Sequence, residues 1–179
     1  MSVILSEIFD LFARFGVDRY GEELSIAQHM LQSAAIAESL GAAPPVVTAA
    51  LLHDIGYFVY SAGGSGDAPH ETLGAVWLAR GFDADVTAPI ALHVQAKRYL
   101  CAVEPDYFEA LSTASRISLA GQGGVMSPGE VTAFAQEPAF EAAVLLRRCD
   151  DRGKDVSLQT QNIAHYRDLM AACLRPTAP

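Results

Sequence analysis

The 179-residue sequence is 51% hydrophobic, long enough for one domain to bury a sizeable core and too short to suggest two independent ones. Its 12 Lys and Arg against 21 Asp and Glu give a formal net charge of −9 with the cations dispersed, which argues against a nucleic-acid partner and leaves room for a small anionic substrate in a locally basic pocket. Cys101, Cys149 and Cys173 form no CxxC pair, against a disulfide framework or thiolate zinc site, and the opening run MSVILSEIFDLFARFG has no basic leader and is interrupted by Glu7, Asp10 and Arg14; a soluble, cytoplasmic protein with reduced thiols and no membrane partner is expected.

Apolar residues recur at helical spacing almost throughout. Ile4, Leu5, Ile8, Phe9, Leu11, Phe12 and Phe15 predict a first amphipathic helix that stops at Gly16. Ser25 with Gln28 reads as a capping box, opening a helix that carries His29 near its start and ends at Gly41. Pro44 and Pro45 open a third helix through VVTAALLHDIG, with His53 and Asp54 near its C-terminal end. The segment SAGGSGDAP (61–69) is a loop by composition and lacks the Gly-Lys-Ser/Thr of a phosphate-binding P-loop.

Helical spacing resumes in ETLGAVWLARG, DVTAPIALHVQAKRYL and DYFEALSTASRISL. Ser127, Pro128 and Glu130 mark a further N-terminus, and Pro138 opens FEAAVLLRRCDDRG. A last segment spans about 162–174 before a frayed tail at 175–179. No alternating strand pattern or internal repeat is present. The expected fold class is all-α: a single-domain bundle over 1–179, core about 4–174, of seven or eight helices.

Neighbouring residues on a helix diverge by about 100°, so His53 and Asp54 at a helix end cannot both point into an apolar core along one direction, and a lone His-Asp dipeptide is more often structural. Here it has company: His29 precedes it, His70 and His93 follow, and Asp150 lies far downstream. A His, then His-Asp, then a distant Asp is the metal-binding pattern of the HD-domain superfamily, and the two extra histidines match its two-metal members. Only His165 is left over.

The runs YGEELSIAQH (20–29), LLHDIGY (51–57), HVQAKRYL (93–100), GQGGVMSPGEVTAFAQ (121–136) and LLRRCDD (145–151) narrow the resemblance. The sequence resembles the HD-domain mixed-valence diiron oxygenases, above all those that cleave the C–P bond of 1-hydroxy-2-(trimethylammonio)ethylphosphonate or 2-amino-1-hydroxyethylphosphonate to phosphate and glycine betaine or glycine. The resemblance implies two iron ions, Fe(II) and Fe(III), with O2 as co-substrate. It implies one iron on His29, His53 and Asp150, the other on His70 and His93, and Asp54 bridging. Four imidazoles and two carboxylates leave net positive charge, which favours an anionic chelating substrate.

Lys97, one turn beyond His93, and Arg147, one turn before Asp150, match the family's phosphonate-binding residues; Ser115 matches by family pattern alone. Asp54 and Lys97 are the residues expected to be catalytic. Glu22 matches the family's ammonium-binding glutamate, and Tyr20 its closing tyrosine. Tyr57 stands where the primary-amine enzymes are expected to have histidine, so it either offers an aromatic face to a quaternary ammonium group or packs behind the site. Two alternatives use the same fold: a metal-dependent phosphohydrolase acting on a nucleotide or phosphate ester, and a non-catalytic helical binding module.

Overall fold

A computed structural model of the chain describes residues 2–19, 23–64 and 68–176. Among these residues the structure is helical with no strand: α1 (Val3–Phe15), α2 (Ile26–Ser39), α3 (Pro44–Leu52), α4 (Ile55–Ser61), α5 (His70–Leu78), α6 (Ala84–Val103), α7 (Tyr107–Ala110), α8 (Thr113–Gly121), α9 (Pro128–Phe134), α10 (Phe140–Arg152), a 3₁₀ turn (Ile163–Tyr166) and α11 (Arg167–Ala172). The helical bundle is as expected, with more and shorter helices than the periodicity alone separates. Phe82 and Leu174 form one isolated antiparallel bridge. No described helix is long and apolar enough to cross a membrane.

Both capping boxes form. Ser25 accepts from the Gln28 amide while the Gln28 side chain takes the Ser25 amide, and Ser127 and Glu130 do the same at α9. Gly41 follows α2 with φ +69°, the left-handed position expected of a helix terminator. Gly16 serves differently: its φ is −61°, and a side chain there would collide with the Phe12 carbonyl and meet the Ala27 Cβ at 3.0 Å. Its smallness lets α1 close onto the start of α2.

Three boundaries depart from expectation. The helix through VVTAALLHDIG breaks after Leu52 and restarts at Ile55. DYFEALSTASRISL is two helices, because Ser112 turns extended and caps α8 through the Ser115 amide. Pro138 lies two residues ahead of α10, whose N-cap is Ala139.

The main core joins α1–α6, α10 and α11 around Met30, Leu51, Leu52, Ile55, Phe58, Leu78, Ile90 and Leu146. A smaller cluster of Ala96, Met126, Phe134 and Ala143 holds α9 against α6 and α10. α10 lies against both α6 and α2, and α5 against α4 and α6, so the helices that carry the expected ligands converge on one point. After α10 the chain is pinned back to α2 by Gln32, which donates to the Asp155 and Leu158 carbonyls and accepts from the Asp155 amide. Cys101, Cys149 and Cys173 are all free thiols.

Candidate metal centre

The helix break is what makes the His53-Asp54 pair usable. His53 caps α3 with helical φ/ψ, while Asp54 has φ −101° and ψ 8° and starts α4. On one continuous helix the side chains would diverge; across this junction both face the centre. Glycines then bring the neighbouring helices close. A Cβ on Gly56 would lie 1.9 Å from the His70 carbonyl oxygen, and one on Gly74 3.1 Å from the Gly56 amide, so at these glycines α4 and α5 meet backbone to backbone. A Cβ on Gly153 would lie 2.6 Å from Ser33 Oγ, which sets the end of α10 against α2 beside His29.

Six expected ligands thereby form two clusters: His29, His53 and Asp150, and Asp54, His70 and His93. In the first, His29 Nε2 lies 3.1 Å from His53 Nε2 and 3.2 Å from Asp150 Oδ1. In the second, His70 Nε2 lies 3.3 Å from His93 Nε2 and 3.1 Å from Asp54 Oδ1. Asp54 touches both: Oδ2 is 3.6 Å from His53 Nε2 and 3.9 Å from His29 Nε2, while Oδ1 faces His70 and, at 4.0 Å, His93. Each of its oxygens thus faces one cluster.

The back of each ring decides what its front offers. Nδ1 of His29 donates to the Gly153 carbonyl at 2.8 Å, that of His53 to Ala50 at 2.9 Å, and that of His93 to Ile90 at 2.8 Å. A carbonyl only accepts, so in these three rings Nδ1 carries a hydrogen and the neutral ring presents a lone pair on Nε2. Lone pairs facing each other at 3.1 Å repel unless a proton or a cation lies between them. Imidazole nitrogens with carboxylate oxygens form a donor set that suits iron and similar first-row ions, and the pairing of each ring with an acceptor behind it is the arrangement metal-binding histidines use.

Electrostatics point the same way. Burial works against charge on Asp54, but His53, His70 and His29 outweigh it and hold its carboxyl well below the usual range. Asp150 is likewise depressed despite burial, chiefly by Arg147 and His29. Burial holds His53 below the ordinary imidazole range, and burial with His70 and His53 beside it pushes His93 down to about 3. His29 and His70 are raised: burial opposes this, but Asp150 for the one and Asp54 for the other outweigh it. Two anionic carboxylates amid imidazoles make a cavity built for cations.

A cavity of about 330 Å³ opens onto this centre, lined among others by Asp54, Tyr57, His70, His93, Lys97, Ser115, Arg147 and Asp150. Of the expected substrate residues, Lys97, Arg147, Ser115 and Tyr57 therefore share one pocket with the ligands; Tyr20 and Glu22 lie outside the described residues. Lys97 is 2% exposed; its ammonium donates to Ser118 Oγ at 2.8 Å. Burial, with Arg147 nearby, lowers it to about 8.

Arg147 is heavily engaged. It donates to Asp150 Oδ2 at 2.6 Å, to Asp151, to the Tyr107 hydroxyl at 3.1 Å and to Ser115 Oγ at 3.4 Å. Its donors are thus turned toward Asp150 and Asp151 rather than left facing the cavity alone. Tyr57 stacks on His70, with ring centroids 4.4 Å apart and planes 13° apart, so one of its faces is already covered.

Lys154, Ser118, Tyr107 and Asp151 were not read from the sequence. Lys154 Nζ donates to Ser115 Oγ at 2.9 Å and Ser112 Oγ at 3.3 Å, and lies 4.0 Å from Asp150 Oδ1. Its spacing of four from Asp150 was the available signal.

Residues 26–100 match the HD domain family. The chain is 42% identical to a hydroxymethylphosphonate dioxygenase of Gimesia maris over 95% of its own length and 88% of that protein. It is 40% identical to the 1-hydroxy-2-(trimethylamino)ethylphosphonate dioxygenase (glycine-betaine-forming) of Leisingera caerulea, over 91% of this chain and 86% of the relative. An uncharacterised protein of Acanthamoeba polyphaga mimivirus is 36% identical over 93% and 80% of the two chains. With its six expected ligands gathered into two clusters about Asp54, the chain belongs to the HD-domain family of dioxygenases that the Gimesia and Leisingera proteins represent.

Proposed function

We propose that the chain holds two iron ions, one ferrous and one ferric, and uses dioxygen to cleave the C–P bond of a small 1-hydroxyphosphonate. The observation that carries this is the Asp54 carboxylate, one oxygen toward each cluster, beside a cavity that Lys97, Arg147 and Lys154 make basic. Bound iron would supply the redox chemistry by which dioxygen oxidises the carbon bearing the hydroxyl.

The substrates named for the two phosphonate relatives share a hydroxyl and a phosphonate on one carbon, and that shared core fits what surrounds the cavity. Lys97 and Lys154 reach it from α6 and from beyond α10, with the N-terminal turn of α8, Thr113 to Ser115, between them. Two ammonium groups and the positive end of a helix suit a phosphonate dianion. About 330 Å³ is at the low end of the roughly 300–1,000 Å³ of small-molecule sites, which suits a few-atom substrate. For a 1-hydroxyphosphonate the balance is one O2 consumed, with a carboxylate, hydrogen phosphate and a proton formed: glycine betaine from the trimethylammonio substrate, glycine from the amino one, formate from hydroxymethylphosphonate.

Aerobic incubation of the iron-loaded protein with each of the three hydroxyphosphonates, following oxygen uptake and phosphate release, tests the assignment. Equal amounts of oxygen consumed and phosphate formed are expected from at least one. Absence of both with all three would sink it, and phosphate released from a phosphate ester without oxygen uptake would establish the phosphohydrolase instead.

A further inference from the structure

His70 differs from the other three histidines in what stands behind its ring. His53 and His93 turn Nδ1 back onto the carbonyl three residues earlier in their own helices, and His29 uses the Gly153 carbonyl. His70 is the first residue of α5, so no preceding helical turn offers it a carbonyl. Its Nδ1 lies 3.1 Å from Glu71 Oε2. That oxygen is buried and has no hydrogen-bond partner, so it meets the ring through proximity alone.

We propose that Glu71 is the positioning residue of the second cluster: its carboxylate fixes the His70 ring and places negative charge behind it, so that the Asp54–His70–His93 cluster retains its ion. The proposal rests on the reading that this cluster holds a metal. The first cluster has Asp150 to itself and a share of Asp54, whereas the second has two imidazoles and only the share of Asp54. It is short of anionic charge, and a carboxylate 3.1 Å from the far nitrogen of one of its imidazoles supplies some. Tyr57 stacks on the same ring and limits its rotation, so Glu71 meets it in one orientation.

Three variants of the full chain separate this from a general packing role. Glu71→Gln keeps the shape and an acceptor but removes the charge. Glu71→Leu removes both. Asp85→Asn, an exposed first-turn acid of α6, controls for the loss of a helix N-terminal charge. Each is loaded anaerobically with Fe(II), titrated and challenged with a chelator, counting iron per chain; apoprotein melting is followed in parallel.

Wild type should hold two irons. In Glu71→Gln the second iron should bind roughly tenfold more weakly, and in Glu71→Leu still more weakly, within the roughly 10–100-fold cost of losing such a partner. The first iron, apoprotein melting and the Asp85→Asn protein should be unchanged. Unaltered retention of both irons in Glu71→Gln overturns the proposal, as does loosening of both irons in step. Wild type binding fewer than two irons overturns the two-metal reading and the proposal with it.

Discussion

The two halves of the candidate metal centre are built to different standards. The His29–His53–Asp150 half sits where α2, α3 and α10 meet; all three residues are at most 4% exposed, and Asp150 is clamped by Arg147. The Asp54–His70–His93 half borrows its carboxylate from the bridge and takes His70 from the first residue of a helix, with that side chain 13% exposed beside the cavity. One half is anchored where the ends of three helices meet, beside a buried guanidinium. The other is held by a helix start, a stacked tyrosine and a glutamate. The first cluster is sealed within the folded core, whereas the second borders the cavity through His70.

Removing what the halves share should have the largest effect. Asp54→Ala takes one oxygen from each cluster, and we expect both irons to be lost and turnover to fall by more than about a hundredfold, beyond the cost of an outer partner alone. Iron analysis and oxygen uptake check this, and retention of both irons would remove Asp54 as the bridge. Arg147→Met should strike the first half. It leaves Asp150 and Asp151 without their buried cation, and breaking such a pair costs about 3–5 kcal/mol. Urea denaturation of the metal-free protein should show a loss of that order, with the first iron weakened more than the second. Equal weakening of both would erase the distinction between the halves.

The sequence carried the ligand set further than it carried the local backbone. Capping boxes at Ser25 and Ser127 are local hydrogen-bonding signals and were legible as such. The break at His53-Asp54 was not, because apolar spacing runs without interruption through VVTAALLHDIGYFVY and nothing before Gly56 announces a stop. Ser112 was hidden among neighbouring hydroxyl residues, so the helix start that positions Ser115 could not be told from a helix interior. The six expected ligands emerged from their order along the chain, whereas Tyr107 reaches the site through tertiary packing, Asp151 and Glu71 sit beside an expected ligand without a spacing rule, and Lys154 follows Asp150 by four only across the helix end at Gly153. The fate of Arg147 shows the same limit: its spacing placed it near the metals, but not the carboxylates that occupy it.

The smallest effect we predict is a pH dependence that belongs to the cavity rather than to either cluster. Lys97 loses its proton at about 8 instead of 10.5, because burial and then Arg147 disfavour its charge. Above about pH 8 the free protein should therefore bind phosphonate progressively less well, and kcat/KM should fall by a factor approaching ten per pH unit. Bound phosphonate stabilises the ammonium, so kcat should hold to higher pH than kcat/KM does. Stability should move oppositely. Between about 8 and 10.5 the unfolded chain binds the proton that the folded chain has released, so this lysine's contribution to stability rises with pH over the window in which binding declines. Lys97→Arg, which keeps its charge throughout, should abolish the alkaline fall in kcat/KM while both irons stay bound. If the fall persists in that variant, the titration belongs to another group and Lys97 is not the cation that meets the phosphonate.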